Sequence, residues 1–215
     1  MAKENKPLII FLAGDLINEN NVVKLINSRS FDFYAADGGY HLARKLDLPI
    51  RKILGDFDSS TKPCEGNIFV FPSEKDETDS ELALNMAVEE GYKEIWMIAP
   101  FGGRMDHTYA NLCLLEKAKK NGVNLFLYDG FNLAFMLSNE VYLFDGFYRY
   151  VSFFSWSETV VLTLEGFKYP LNKYTLKRFL PLGISNELVS DCATATVEHG
   201  NIICICIEKE VSEDV

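Results

Sequence analysis

Short apolar runs alternate with helical patterns over roughly the first 138 residues of the chain. The apolar runs are typical of buried strands and lie at residues 8–13, 31–36, 50–54, 68–71, 95–99 and 123–128. The helical patterns between them lie at residues 21–27, 40–46, 78–90 and 107–120. Strands and helices repeated in this order predict a mostly parallel sheet with helices on both faces.

The pattern changes beyond residue 138 to β-branched and aromatic runs separated by turns. These runs lie at residues 141–144, 148–154, 159–164, 193–198 and 202–207, and no long helical pattern competes with them. They predict a small antiparallel β domain, either a sandwich or a barrel. The expected fold is therefore α/β, with a parallel-sheet domain at residues 1–138 followed by a small antiparallel β domain at residues 139–215.

Acidic residues collect where predicted strands end and the next helix or turn begins. Because the carboxyl ends of parallel strands share one edge, these residues are expected to meet where such sheets bind ligands. Gly55 is expected to permit the tight turn that brings its neighbours close to a ligand. The four junctions are Asp37 with Gly38 and Gly39, Asp56 with Asp58, Asp76 with Thr78 and Asp79, and Gly102-Gly103-Arg104 with Asp106.

Each junction also has an ordinary structural explanation. Asp58 or Asp76 could cap the segment that follows, and Asp79 could be an acidic first-turn residue of a helix. Taken together, clustered carboxylates favour an oxygen-ligand site for Mg²⁺. The Gly-Gly-Arg turn could present backbone amides and a guanidinium to a phosphate. The combination indicates metal-assisted phosphoryl or pyrophosphoryl transfer.

Composition limits the classes of binding partner and the compartment that are expected for this chain. The formal net charge is −10 and no basic stripe is visible, so nucleic-acid binding is not expected. No apolar run is long enough for a signal peptide or a membrane span, which predicts a cytoplasmic protein without a membrane partner. The five cysteines are odd in number and match no zinc spacing, which favours free thiols in a reducing compartment.

These motifs closely resemble those of the thiamine pyrophosphokinase family, in its order and approximate spacing. The first half carries the four junctions described above. In the second half, Gly166-Phe167-Lys168-Tyr169-Pro170-Leu171 and Gly183-Ile184-Ser185-Asn186-Glu187 are similar to two thiamine-side signatures of the family. The resemblance covers nearly the whole chain, and the combination is far more specific than any one motif. It implies an N-terminal α/β nucleotide-binding domain and a C-terminal antiparallel β-sandwich that completes the thiamine pocket.

The resemblance implies that the chain transfers the pyrophosphoryl group of ATP to the hydroxyl of thiamine, giving thiamine diphosphate and AMP. It implies ATP and thiamine as substrates, Mg²⁺ as cofactor, and a homodimer with the active site at the subunit interface. Two alternatives remain: a pyrophosphokinase acting on another heterocyclic alcohol such as a pterin, and a non-catalytic thiamine- or nucleotide-binding regulator.

The resemblance also implies residue roles. Asp56, Asp58 and Asp79 would bind Mg²⁺, and Arg104 would contact phosphate. Asp106 would lie near the reacting hydroxyl, and either Asp79 or Asp106 could accept its proton. The ATP site would be shaped by Asp37, Gly38, Gly39, Asp56, Thr78 and Gly103. Thiamine would contact Ser185 and Asn186, with Tyr169 a candidate to stack on its cationic ring. The Gly14-Asp15 loop has no assigned role.

Overall fold

The computed structural model describes residues 6–55, 67–72 and 76–209. The chain divides into two compact units, Met1–Gly130 and Phe131–Val215. The strand at Asn132–Ser138 lies in the second unit. The assignment of two functional domains, with a boundary after residue 138, stays a prediction. None of the described helices is long and apolar enough to cross a membrane.

The first unit is a parallel sheet flanked by helices. Every neighbouring pair of strands runs parallel, in the order β6-β5-β1-β2-β3-β4. The strands are β1 (Leu8–Phe11), β2 (Asp32–Ala36), β3 (Lys52–Gly55), β4 (Ile68–Val70), β5 (Glu94–Ile98) and β6 (Asn124–Tyr128). The helices are α1 (Glu19–Ser28), α2 (Gly39–Lys45), α3 (Asp79–Glu89) and α4 (Met105–Lys120).

Strand β1 is the point at which the order of the sheet reverses. The chain moves from β1 through β2 and β3 to β4, then returns to place β5 on the other side of β1. Open α/β sheets bind ligands at such a switch point, beyond the carboxyl ends of the two strands. All four residues of β1 are fully buried, since both faces of a parallel sheet are covered. The topology therefore directs attention to the loops after β1 and β5.

At the amino ends of the strands, charged and polar side chains form ion pairs and hydrogen bonds around Asp32, the first residue of β2. Asp32 accepts a hydrogen bond from the Tyr92 hydroxyl at 2.5 Å and forms ion pairs with Lys6 and Arg51. Burial raises the pKa of Asp32, but the hydrogen bonds from Tyr92, Lys6 and Arg51 outweigh it and hold that pKa below its ordinary value. Because this carboxylate binds three neighbouring side chains, we assign it a structural role.

The second unit consists of two antiparallel sheets. Their orders are β12-β9-β14-β7 and β11-β10-β13-β8. The strands are β7 (Asn132–Ser138), β8 (Val141–Asp145), β9 (Tyr148–Ser155), β10 (Thr159–Glu165), β11 (Leu171–Lys177), β12 (Gly183–Asn186), β13 (Cys192–His199) and β14 (Asn201–Glu208). Phe144 of one sheet packs against Phe135 and Phe153 of the other, with ring centroids 6.3 and 5.9 Å apart. The predicted α/β fold with an antiparallel β-sandwich is confirmed.

Three strands of the sandwich were not predicted from the sequence. Strand β7 is a continuous buried run without alternation, a pattern that a buried helix segment would also show. Strand β11 lies at the edge of its sheet and is mostly exposed, so its side chains do not alternate between apolar and polar. Strand β12 has only four residues. Each lacks the period of two on which strand prediction depends.

Candidate functional site

The loops that follow β1 and β5 are held together by their backbones. The Gly14 amide donates to the carbonyl of Ala99 at 3.0 Å, and the Asp15 amide donates to that of Phe101 at 2.6 Å. A Cβ atom on Gly14 would lie far too close to the Phe101 carbonyl oxygen for any non-bonded contact. Gly14 is therefore needed for close packing at the switch point. The sequence analysis assigned this loop no role, although a glycine shortly after a buried strand was a visible signal.

The turn after β2 is braced in the same way. Asp37 has φ of 44°, a left-handed conformation that aspartate tolerates better than most residues, and its amide donates to the Leu54 carbonyl at 2.7 Å. A Cβ on Gly39 would collide with the carbonyl of Phe11. These contacts place the predicted Asp37-Gly38-Gly39 turn at the carboxyl edge, fixed against both β1 and β3.

Gly55 is the last residue of β3, and the turn that it was expected to permit involves residues outside those described. A Cβ on Gly55 would lie 3.2 Å from the Cα of Asp37, which is tighter than ordinary packing. Gly55 thus allows the ends of β2 and β3 to approach each other. Asp56 and Asp58 lie outside the described residues, and their metal-binding roles stay predictions.

Helix α3 begins at Asp79 and is capped by Thr78. The Thr78 hydroxyl accepts a hydrogen bond from the Glu81 amide at 3.2 Å. The alternative in which Asp76 provides the cap is therefore wrong. Asp79 lies in the first turn, where the helix dipole favours a negative charge. Its carboxylate is thus placed at the start of the helix, as the sequence analysis expected for that residue.

The Gly-Gly-Arg loop leads into α4 without a side-chain cap. Arg104 occupies the cap position, and its guanidinium donates to both carboxylate oxygens of Asp106. The two side chains are 72% and 64% exposed. The hydrogen bond from Arg104 lowers the pKa of Asp106 to about 2. Asp106 belongs to the first turn, and in this arrangement it holds the arginine rather than capping the helix.

The two glycines of this loop differ in what surrounds them. A Cβ on Gly102 would lie 3.2 Å from a carboxylate oxygen of Asp15, so this glycine packs against the loop after β1. At Gly103, no atom of the described residues other than its own and those of its two chain neighbours lies within 4 Å of the position a Cβ would take. Neither packing nor a positive φ requires glycine at 103. The loop therefore presents bare backbone on its open side, which suits close approach by a ligand.

A buried asparagine links this loop to the start of α3. The Asn111 amide nitrogen donates to the Pro100 carbonyl at 2.7 Å, and its oxygen accepts from the Ser80 hydroxyl at 2.8 Å. The Ser80 hydroxyl lies 3.0 Å from that of Thr78. Asn111 was not among the residues predicted from the sequence. Its signal was a polar residue on the buried face of α4, at helical spacing from Leu114, Leu115 and Ala118.

The described residues include only one of the three predicted metal ligands. Within residues 6–55, 67–72 and 76–209, no group of three or more histidine, cysteine, aspartate or glutamate side chains could hold a metal ion. Two of the three predicted ligands, Asp56 and Asp58, fall outside those ranges, and Asp79 falls within them. The described residues thus provide one member of the predicted set.

In the second unit, the predicted thiamine-side residues come together around one amide. Asn186 is 3% exposed, and its side chain accepts from the Tyr169 and Glu187 amides at 3.0 Å each and donates to the Tyr169 carbonyl at 2.9 Å. This leaves the Tyr169 ring exposed and fixed in place through its backbone. Ser185 has φ of 54°, and its amide donates to the Ser152 hydroxyl at 3.0 Å.

Two family models match the chain. The model described as "Thiamin pyrophosphokinase, catalytic domain" matches residues 23–127. The model described as "Thiamin pyrophosphokinase, vitamin B1 binding domain" matches residues 138–202. The first match includes the Asp37, Thr78-Asp79 and Gly103-Arg104 junctions, and the second includes Tyr169 and Ser185-Asn186.

Relatives and solved structures agree with the family models. The chain is 38% identical over 168 residues to thiamine pyrophosphokinase of Bacillus subtilis, covering 74% of this chain and 78% of the relative. The crystal structure of thiamine pyrophosphokinase from Bacillus subtilis superposes with a TM-score of 0.86 at 29% identity, covering 95% of this chain and all of that one. Thiamin pyrophosphokinase from Geobacillus thermodenitrificans gives a TM-score of 0.82 at 28% identity, with 95% and 99% coverage. The chain belongs to the thiamin pyrophosphokinase family.

Proposed function

We propose that the chain is an enzyme that transfers the β,γ-pyrophosphoryl group of ATP to the hydroxyl of thiamine. The thiamine oxygen bonds to the β-phosphorus, the bond from the β-phosphorus to the bridging oxygen breaks, AMP leaves with that oxygen, and the hydroxyl proton passes to solvent. The main structural support is the switch-point loop, where the exposed Arg104 stands next to the open backbone of Gly103. A guanidinium next to a glycine with open space on one side suits a triphosphate better than a neutral ligand.

Mg²⁺ is the cofactor that fits the predicted carboxylates. Asp56, Asp58 and Asp79 would hold it, because hard oxygen ligands are those that this ion prefers. Asp79 is positioned by the Thr78 cap at the start of α3. When bound, the ion neutralises charge on the triphosphate and on the departing AMP.

Arg104 contacts the transferred phosphates. A guanidinium carries five N–H donors, and the two that bind Asp106 leave others for phosphate oxygens. Asp106 has a pKa of about 2, and so weak a base accepts a proton poorly. We therefore assign Asp106 to holding the arginine near the reacting hydroxyl. A loose transition state for phosphoryl transfer needs no strong base.

The remaining predicted residues shape the two substrate sites. Asp37, Gly38 and Gly39 form the braced turn on the ATP side, with Thr78 and Gly103. On the thiamine side, the exposed Tyr169 ring stacks on the cationic ring of thiamine in place of the Lys168 ammonium, which lies 5.8 Å from the Tyr169 ring centroid, and Ser185 adds a hydroxyl. Asn186 acts through the Tyr169 backbone, which it holds by two hydrogen bonds.

A second copy of the chain covers the apolar segment after β11. Four large apolar side chains in this segment are more than half exposed: Phe179, Leu180, Leu182 and Ile184. An exposed patch of this kind marks an interaction surface. The family resemblance makes the partner a second subunit, with the active site at their interface. Sedimentation equilibrium should give twice the chain mass, and a monomer at micromolar concentration would exclude the homodimer.

We place the enzyme in the cytoplasm. Cys113, Cys192, Cys204 and Cys206 are free, and Cys204 and Cys206 are buried. Burial raises the pKa of both buried thiols, which keeps them in the unreactive thiol form. Free thiols of this kind suit a reducing compartment.

The function is tested by AMP release from Mg-ATP with and without thiamine. We expect AMP and thiamine diphosphate in equal amounts, dependent on both thiamine and Mg²⁺. Mass spectrometry of the products distinguishes pyrophosphoryl transfer from ATP hydrolysis, which would release phosphate without a thiamine product. Absence of thiamine-dependent AMP would overturn the proposal, and AMP release dependent on a pterin alcohol would replace it with the alternative substrate.

A further inference from the structure

A chain of side-chain hydrogen bonds connects two parts of the proposed ATP site through the protein interior. It runs from the Thr78 hydroxyl to Ser80, then to Asn111, and ends at the Pro100 carbonyl. Thr78 caps the helix that carries Asp79. Pro100 lies at the start of the loop that contains Gly103 and Arg104. The middle residue of this chain of hydrogen bonds thus lies on α4. One end lies next to Asp79, which is proposed to bind metal, and the other lies in the loop proposed to bind phosphate.

The burial and the hydrogen bonds of Asn111 suit it to connect these two segments. It is 6% exposed and lies on the face of α4 that packs Leu114, Leu115 and Ala118. A buried amide that loses a partner is costly, so the two hydrogen bonds restrict both neighbours to one arrangement. The donor end is held by a carbonyl and the acceptor end by a hydroxyl, which also settles the orientation of the amide.

We propose that Asn111 is a positioning residue that sets the distance between Asp79 and the Gly103-Arg104 loop. The inference rests on the proposed function, because it concerns metal and phosphate binding at that site. Asn111 itself does not contact substrate. It acts through Ser80 and Thr78 on one side and through Pro100 on the other. Transfer chemistry is sensitive to such spacing, since a shift of about 1 Å can cost on the order of 10²-fold in rate.

The main test replaces Asn111 with leucine, which has the same number of side-chain heavy atoms and the same branch point, is somewhat larger, and removes both hydrogen bonds. We expect kcat to fall about 10- to 100-fold, the range found when groups that orient metal ligands are removed. The Mg²⁺ concentration for half-maximal activity should rise with it, whereas a residue that only stabilises the fold would leave that concentration unchanged in the folded fraction. Asn111→Asp retains the acceptor for Ser80 but places a carboxylate oxygen against the Pro100 carbonyl, so it should be at least as impaired as Asn111→Leu.

The matched control is Asn121→Ala at the other end of α4. Asn121 also donates from its side chain to a backbone carbonyl, that of Lys117 at 2.8 Å, but it is exposed and far from Pro100. Its replacement should leave kcat and the Mg²⁺ requirement unchanged. Ser80→Ala removes only the hydroxyl link and tests the same connection if Asn111→Leu does not fold.

Hydrogen exchange separates this inference from the proposed function. In Asn111→Leu and Ser80→Ala, the amides of Asp15 and Glu81, which donate to the Phe101 carbonyl and the Thr78 hydroxyl, should exchange faster, while those at the carboxyl end of α4 stay protected. If wild-type protein gives no thiamine-dependent AMP, the function fails and exchange still tests the positioning. Unchanged exchange at the Asp15 and Glu81 amides, together with an unchanged Mg²⁺ requirement in the active variants, would overturn the inference.

Discussion

Asp79→Asn is expected to lower kcat by about 10²- to 10³-fold, the range found when one charge-stabilising group is removed from an active site. The amide keeps the shape of the side chain and removes its negative charge, which the proposed Mg²⁺ site requires. The fold should persist because the helix cap comes from Thr78 and its bond to the Glu81 amide. Loss of the favourable charge at the helix start should cost about 0.3–1 kcal/mol of stability.

Glu89→Gln provides the control for this substitution. It makes the same change of charge in the last turn of the same helix, where Glu89 is exposed. We expect wild-type kcat in that variant. Calorimetric titration with Mg²⁺ and a non-hydrolysable ATP analogue should show weakened binding for Asp79→Asn alone. Equal kcat in the two variants would remove Asp79 from the proposed metal site.

Arg104→Ala is expected to lower kcat/KM for ATP by about 10²-fold or more, because a guanidinium that neutralises phosphate charge acts mainly in the transition state. The melting temperature should not change, since the ion pair with Asp106 is highly exposed. Arg104→Lys should recover only part of the activity, because lysine keeps the charge without the planar fork. Steady-state kinetics with varied ATP measures all three proteins.

Arg29→Ala is the matched control for the arginine. Arg29 also forms an exposed ion pair, with Glu94, and has no assigned role in the site. Wild-type kcat/KM is expected in this variant. If Arg104→Ala behaves in the same way, the phosphate contact proposed for Arg104 is wrong.

The two glycines near this arginine test the same contact without a change of charge. Gly103→Ala adds a methyl group in open space, so it should leave stability intact and raise KM for ATP. Gly14→Ala, in contrast, forces the loops after β1 and β5 apart. It should therefore also lower the melting temperature, at a cost of about 1–3 kcal/mol for overpacking. Loss of stability without loss of ATP affinity in Gly103→Ala would contradict the proposed ligand approach.

Much of the fold was accessible from the sequence. Apolar runs and helical spacing located the elements of the parallel sheet, because period and burial are local properties of the chain. Strands β7 and β11 were missed, since one is buried on both faces and the other is largely exposed. The helix cap at Thr78 was also missed, because both Asp76 and Thr78 are suitable capping residues and only the backbone conformation selects one.

The sequence by itself determined the class of the fold, the junctions that carry acidic residues, and the family to which these motifs point. Only the tertiary structure revealed why Gly14, Gly39 and Gly55 are glycines, since each meets a backbone segment distant in the chain. It alone connected Ser80 to Pro100 through Asn111, and Asn186 to Tyr169. Periodicity and motifs are encoded in neighbouring residues, whereas these contacts exist only after the packing of the sheets brings distant segments together.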